Sequence, residues 1–521
     1  MRTIHPRPAV AVALAGLLSL VSACGGSSGN GTSSAMGGGS PPPPTEGQLT
    51  GPATKVASYS TSDLLSMLGV DSVGKLLVTI ASPACAIDVY QVQYQTVGGK
   101  GEATTASGAL MVPTSGTSNC QGARPIVLYA HGTNPDKAFN IAQISPNQNG
   151  EGLILAAVFA AQGYIVVAPN YAGYDTSTLT YHPYLVAAQQ AHDMMDALSA
   201  AKSALPVASA TGITANGKVF VTGYSQGGFV AMATARAMQA ANTPPTAAGP
   251  MSGPYALAAF GDAVFMGQVT QSSPLNITFL VDAYQQTYGN VYTAATDVFS
   301  STFANGIGTL LPASSTASAL YTQGVLPQNA LFSSAPPSAA YAAMTPAKSP
   351  ANLAPVFADG FGTTFLVTNA YRLNYLTDEA AQPDGGFPNY TTGMPPTAPM
   401  NGLRQDLKTN DLRNWTPTAP EFLCGGNADP EVLFLNTQLI QKYWIGAAPG
   451  APVTVLDIDS SSGGTDADLQ IAFAAAKAAV AAGAVAGGAK DGGAQAVFDN
   501  YHAGLVPPFC LSAVKRFFDT M

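Results

Sequence analysis

Two stretches near the start of the chain, 87–97 and 104–112, alternate apolar and polar positions on either side of Gly98-Gly99-Lys100-Gly101. Alternation with a period of two buries one face of an extended chain. The glycine-rich break lets the chain reverse, so the pair predicts a β-hairpin. The pattern then changes. Short runs at 125–130, 164–168, 219–222, 247–251, 421–424 and 453–458 are mostly apolar throughout, and helix-forming segments at 151–161, 184–201, 229–240, 432–443 and 469–482 separate them. Strands with no polar face must be covered on both sides, the condition of a parallel sheet with helices above and below. The expected fold class is α/β: a mixed, mostly parallel central sheet with helices on both faces.

The alternation breaks off between 257 and 412. Nine charged side chains fall between 256 and 400, while alanines and aromatics recur, as in Ala340-Tyr341-Ala342-Ala343-Met344. A stretch so poor in charge supports a helical subdomain with its own core, and its insertion between two strands makes it a cap with an apolar inner face.

The N-terminus reads as processing signal. Arg2 and Arg7 precede an apolar core at 9–20 that is too short to span a bilayer. Val21-Ser22-Ala23-Cys24 resembles the lipobox of bacterial lipoproteins, with Cys24 the lipidated residue, and Gly25 at the next position resembles outer-membrane sorting. Residues up to Gly47 are almost all Gly, Ser, Thr and Pro, a tether rather than a core. The expected organisation is thus 1–23, lipoprotein signal peptide; 24–48, tether; 49–256 and 413–521, the two parts of the α/β core; and 257–412, the cap. Membrane attachment through the N-terminal lipid, and a place in the outer membrane facing the periplasm or the surface, or release from it, follow as expectations. So does a monomer.

The chain carries 20 basic and 29 acidic side chains; loss of Arg2 and Arg7 leaves 18 against 29, a net charge of −11. A surface this thin in Lys and Arg offers no footprint for nucleic acid. Beyond Cys24 the cysteines are Cys85, Cys120, Cys424 and Cys510. Of the three possible pairings, the sequence-near ones, Cys85–Cys120 and Cys424–Cys510, are favoured. With no C-x-x-C, no H-E-x-x-H and five histidines in all, neither a metal nor a cofactor is expected.

The chemistry begins at residues 221–230, Val-Thr-Gly-Tyr-Ser-Gln-Gly-Gly-Phe-Val, where an apolar run meets a helix-forming one. In G-x-S-x-G, Gly223 and Gly227 remove side chains that would collide across a tight strand-to-helix turn. Ser225 then projects its hydroxyl above a helix N-terminus whose free N–H groups favour negative charge. A serine hydroxyl needs a base with a pKa near neutrality. His5 leaves with the signal peptide, His131 ends a strand in a structural position, and His182 and His192 sit before and within the helix preceding the nucleophile strand. His502 remains, in a loop before a C-terminal helix at 511–518, where the chain order Ser, acid, His puts the base.

The expected acid is Asp429, after the strand at 421–424; Asp457 and Asp459, at the end of the next strand, are rivals. With Pro430 at the first helical position, Asp429 is also placed as a helix N-cap. It can cap the helix and serve the histidine only if its two oxygens divide the work. The oxyanion donors are expected to be the backbone N–H groups of Gln226 and Thr133. Gly132, after His131, lets that loop approach closely, and Asn134 is the fallback.

These residues, with Ser252-Gly253-Pro254-Tyr255, resemble the α/β-hydrolases, and among them the secretory lipase group of capped lipases and esterases. Residues 163–173, Gly-Tyr-Ile-Val-Val-Ala-Pro-Asn-Tyr-Ala-Gly, are similar to that group's strand and turn after the oxyanion loop. The resemblance runs from about 85 to 521 outside the cap. It implies an α/β-hydrolase fold and hydrolysis of carboxylic esters through an acyl-enzyme by Ser225, Asp429 and His502. Two features depart from it: Gln226 and a double glycine follow the nucleophile, and an Ala/Gly-rich segment at 462–497 lengthens the path from acid to base. A Cys424–Cys510 bridge would tie the acid and base loops together across that segment. The low charge of the cap favours uncharged, apolar esters, with acylglycerols, short-chain esters and aliphatic polyesters all open. A serine aminopeptidase of the same fold would need a carboxylate cluster in the cap, for which Asp378-Glu379 is the only adjacent pair. An acyltransferase or a non-enzymatic surface lipoprotein completes the alternatives.

Overall fold

Nine strands form one sheet among the described residues: β1 (Thr54–Tyr59), β2 (Cys85–Val97), β3 (Ala103–Gly116), β4 (Ala123–Ala130), β5 (Ile165–Pro169), β6 (Thr214–Tyr224), β7 (Ala247–Met251), β8 (Glu421–Gly425) and β9 (Val453–Asp457). The computed structural model describes residues 45–521 apart from 71–73, 76–77, 79–81, 146–149 and 209–211. The expected signal peptide, Cys24 and all but the last residues of the tether lie outside them. The strands are ordered β1-β2-β3-β5-β4-β6-β7-β8-β9. The pairs from β1 to β3, and β3 with β5, are antiparallel; every pair from β5 to β9 is parallel. The alternating hairpin thus forms one wing of the sheet, and the fully apolar strands form the covered parallel half. β1 escaped the sequence pattern because it is a largely exposed edge strand with no apolar face to read.

Helices α1 (Thr61–Leu68), α2 (Gly150–Val158), α3 (Ala187–Ala208) and α4 (Gln226–Ala240) belong to the first part of the chain. Between β7 and β8 come α5 (Leu257–Phe265), α6 (Ser273–Thr287), α7 (Asn369–Ala381) and α8 (Gly402–Asn410), with shorter helical turns. The scarce charges of this insertion are largely spent inside it. Arg404 of α8 lies 2.9 Å from Asp262 of α5 and 2.8 Å from Asp378 of α7, and Arg413 lies 2.6 Å from Asp384 and 2.8 Å from Asp411, all buried. Removing one partner would leave an uncompensated buried charge, so these pairs fix how the cap helices pack.

After β8 come α9 (Leu435–Ala447), α10 (Ala467–Ala486), α11 (Ala494–Asn500) and α12 (Val506–Asp519). α12 starts five residues earlier than the sequence pattern suggested. Pro507 and Pro508 hid its first turn, where a missing N–H costs nothing. The segment Tyr501–Leu505 is one π-helical turn between α11 and α12, so His502 sits in a helical bulge, not in a loop. Both favoured disulfides are present, Cys85–Cys120 and Cys424–Cys510, with Cα separations of 5.6 and 5.5 Å. The parallel register pairs Ala130 with Gly223, Tyr224 with Met251, and Met251 with Cys424. Four strands therefore end at one level, and the loops that follow them meet above a single edge.

Candidate active site

Ser225 occupies the turn between β6 and α4 with φ 59° and ψ −123°, a conformation that side chains other than glycine rarely adopt. Its N–H donates to Met251 O at 3.0 Å, and its own carbonyl accepts from Gly228 N–H at 2.9 Å. A Cβ on Gly227 would overlap the Ala130 carbonyl, and one on Gly223 would overlap the Gly227 carbonyl. The second glycine of the pair has its own reason: a Cβ on Gly228 would overlap Met251 O. The glycines thus let β4, β6 and β7 close around the start of α4.

His502 Nε2 lies 2.8 Å from Ser225 Oγ, and its Nδ1 lies 2.7 Å from Asp429 Oδ2. The imidazole is buried, and Tyr224 Oη, one residue before the serine, donates to His502 O at 2.5 Å. Burial alone disfavours the imidazolium, but the charge and hydrogen bond of Asp429, helped by the charge of Glu431, outweigh it and raise the His502 pKa. Asp429 Oδ1 accepts from the N–H groups of Glu431 and Val432 at 2.9 and 3.0 Å, so its two oxygens have separate partners; the expected helix cap is instead a loop turn, because α9 begins only at Leu435 with Phe434 at its N-cap. The rival acids are engaged elsewhere. Asp459 accepts from Tyr501 Oη at 2.8 Å and pairs with Lys477, and Asp457 accepts from Asn427 Nδ2 at 2.7 Å.

Gln226 and Thr133 both flank Ser225, and neither of their backbone N–H groups donates to another described residue. The Gln226 side chain is not free: its Nε2 lies 2.7 Å from His182 Nε2, whose Nδ1 lies 3.0 Å from Ala172 O. Burial holds His182 down to about 3, which keeps it neutral and able to accept from the amide. The glutamine after Ser225 is therefore anchored by a histidine that the sequence reading passed over. The Thr133 hydroxyl pairs with Tyr184 Oη at 2.8 Å. His131 packs its ring on Tyr171 with centroids 4.2 Å apart, and its Nε2 lies 3.1 Å from Asn170 O; burial lowers it to about 4. Gly132 N–H donates to Glu151 Oε1 at 3.1 Å, and Tyr129 Oη donates to the same oxygen at 2.7 Å.

Two cavities meet at Ser225. One, of about 70 Å³, runs under the cap between Tyr184, Leu185, Leu257, Val264, Ile277 and Leu280. The other, of about 380 Å³, has His502, Tyr129, Tyr224, Glu151 and Leu511 in its wall. Glu431 borders both. Neither Asp378 nor Glu379 lines either one. The one grouping of metal-type donors found among the described residues, Glu46, His192 and Asp196, also lies outside both cavities.

A family model described as secretory lipase matches residues 142–266, a span that contains Ser225 and its turn. Three crystal structures of the rice cell wall degrading esterase LipA from Xanthomonas oryzae are similar to the chain. One is 27% identical over 83% of this chain and 95% of that one, with a TM-score of 0.61. A second is 26% identical over the same shares, with a TM-score of 0.62. A ligand-bound form is 24% identical over 92% and 100%, with a TM-score of 0.63. No curated protein matches the sequence. The chain has an α/β-hydrolase fold with a helical cap, related to the secretory lipases and esterases, and that relation supports an activity of the esterase or lipase type.

The same relatives correct two expectations. Attachment to the membrane through a lipid on Cys24, and an outer-membrane location, are not upheld. The similar structures are of an esterase described by its action on a plant cell wall, a material outside the producing cell. The helix Ala467–Ala486 is the one found among the described residues to be long and apolar enough to cross a membrane. It is weak evidence for a span, and it packs on α11 and α12 beside the His502 turn.

Proposed function

From a fold related to the secretory lipases and esterases, we propose that the protein hydrolyses carboxylic esters through an acyl-enzyme on Ser225. His502 is the base, Asp429 its partner, and the backbone N–H groups of Gln226 and Thr133 the oxyanion donors. The unbroken path from Ser225 Oγ through His502 to Asp429, 2.8 and 2.7 Å long, carries this reading.

Ser225 Oγ attacks the ester carbonyl carbon as its proton passes to His502 Nε2, and the carbonyl oxygen takes negative charge beside the two N–H groups. Collapse breaks the bond to the alcohol, which leaves with the proton from His502. Water then attacks the acyl-enzyme and gives a proton to His502. The second collapse returns that proton to Ser225 Oγ and frees the carboxylic acid. Asp429 holds Nδ1–H throughout, so that Nε2 faces the serine and the imidazolium is stabilised.

The alcohol must leave beside its proton donor, and His502 lines the larger cavity but not the smaller. The smaller, apolar cavity is left for the acyl chain. An apolar cavity of ~150 Å³ holds a benzene, so about 70 Å³ suits a short acyl chain rather than a long fatty one. Of the substrates left open by the sequence, short-chain esters fit this division. Asp378-Glu379, the adjacent acidic pair that the sequence offered to a peptidase, lines neither cavity, and Asp378 is held by Arg404 inside the cap.

Hydrolysis of p-nitrophenyl esters from acetate to palmitate, with an aminoacyl anilide alongside, tests the proposal. The expected optimum lies between acetate and butyrate, with octanoate slower by about tenfold or more and no anilide cleavage. Anilide cleavage with no ester turnover would reverse it.

A further inference from the structure

The larger cavity contains two carboxylates that exchange no proton in ester hydrolysis, although the charge of Glu431 helps raise the His502 pKa. Glu431 lies two residues beyond Asp429; its Oε1 accepts from Asn276 Nδ2 at 3.0 Å and its Oε2 from Ser272 Oγ at 3.3 Å, both neutral donors from the cap side. Glu151, at the start of α2, accepts through Oε1 from Tyr129 Oη and Gly132 N–H, while its Oε2 has one long contact, 3.4 Å, with the same N–H. Each carboxylate keeps unused acceptor capacity. Among the described residues that line this cavity there is no Lys or Arg.

Carboxylates placed in a cavity wall without a cation are costly unless a ligand supplies one. Resting on the esterase reading above, we propose that the larger cavity is a subsite for a cationic alcohol moiety, so that the preferred substrates are short-chain esters of amino or quaternary-ammonium alcohols. Glu431 is the main partner of the ammonium, because it borders both cavities at the point where the alcohol oxygen leaves. Glu151 is the second, on the side of the oxyanion loop. At about 380 Å³ the space admits a trimethylammonium group on a two-carbon stem. An anionic alcohol would meet two like charges, and a purely alkyl one would cover both carboxylates without compensating them. Burial pushes both carboxyls up, Glu151 to about 7, although the charge of His502 opposes the rise at Glu431.

The test uses two acetates of nearly the same shape, acetylcholine and uncharged 3,3-dimethylbutyl acetate. Wild-type kcat/KM is expected to favour acetylcholine by about tenfold. That ratio, which cancels any general loss of activity, should fall several-fold in Glu431→Gln and in Glu151→Gln. Turnover of the neutral ester with a wild-type ratio of one or less overturns the inference, as does an unchanged ratio in both variants. Should the variants fail to fold, tetramethylammonium against tert-butanol as inhibitors of wild-type neutral-ester hydrolysis at fixed ionic strength decides it. Selective inhibition by the cation supports the subsite; equal inhibition, or none, overturns it. Folded protein that turns over neither acetate contradicts the esterase reading itself, and both proposals then fall.

Discussion

Asp429 gives His502 Nδ1 one carboxylate oxygen at 2.7 Å and keeps the other for the N–H groups of Glu431 and Val432. These turn bonds fix the carboxylate, and the carboxylate fixes the ring. In Asp429→Asn the amide oxygen can still accept both N–H groups, but the NH2 group then faces Nδ1 and selects the tautomer that cannot accept the Ser225 proton. The kcat for p-nitrophenyl acetate should drop by about 10⁴-fold with little change in urea unfolding. Asp429→Ala should lose as much activity and about 1 kcal/mol of stability besides, because the turn hydrogen bonds go as well.

Gly227 and Gly446 make opposite predictions. A Cβ on Gly227 would overlap the end of β4, a backbone that cannot move without disturbing the sheet. Gly227→Ala should cost about 3 kcal/mol or more in urea unfolding. At Gly446, in α9, a Cβ would meet nothing within 4 Å. Gly446→Ala should be neutral or stabilising by about 0.5–1 kcal/mol.

The Cys424–Cys510 bridge closes a loop of sequence separation 86 and joins the strand leading to Asp429 with the helix that follows His502. In the chain-entropy model its loss costs about 4–5 kcal/mol. Replacing both cysteines with serine should lower kcat at temperatures where circular dichroism still shows a folded protein. Unchanged kcat in such a sample would mean that the bridge does not position the acid and the base.

Acid should inhibit through His502. The imidazole must be neutral to take the Ser225 proton, and its pKa is raised, so the acid limb of kcat/KM should inflect above the ordinary histidine value of 6.5. Glu431→Gln removes one of the charges that raise it and should move the inflection down.

His502 and Glu151 contribute a stability that declines with rising pH, opposed below about 6.5 by His131 and His182, which the fold buries neutral. The folded state binds the His502 proton more tightly than the unfolded chain does. That contribution is fully present below about 6.5 and is lost as pH rises through the higher folded value. Glu151, raised from 4.5 to about 7, also favours its protonated form in the folded state, so its contribution fades over that interval. Urea unfolding at pH 5, 6, 7 and 8 isolates the Glu151 part: the stability of the wild type relative to Glu151→Gln should fall as pH rises.

Much of this architecture is written locally. The fully apolar strands and the helices between them report a covered parallel sheet because burial on two faces leaves no polar positions. Gly223 and Gly227 are legible because a turn this tight excludes a Cβ at those places. What was not legible depends on contacts distant in sequence. Glu151 is an isolated acid in the chain and Glu431 follows Asp429 by two residues, and only the fold places them in one cavity beside Ser225. His182 reaches Gln226 from 44 residues away. Pro507 and Pro508 read as a helix break but begin α12, which put His502 on a helical bulge rather than in a loop. The lipid anchor was inferred from four residues around Cys24, and the relatives do not support it.

Mass spectrometry of the intact protein, quenched during p-nitrophenyl acetate turnover and then digested, tests the central assignment most directly. Acetylation of the peptide bearing Ser225, matched by a burst of about one equivalent of p-nitrophenol and absent with all turnover in Ser225→Ala, is the predicted result. Acetyl groups on a different residue, or wild-type turnover in Ser225→Ala, would contradict it.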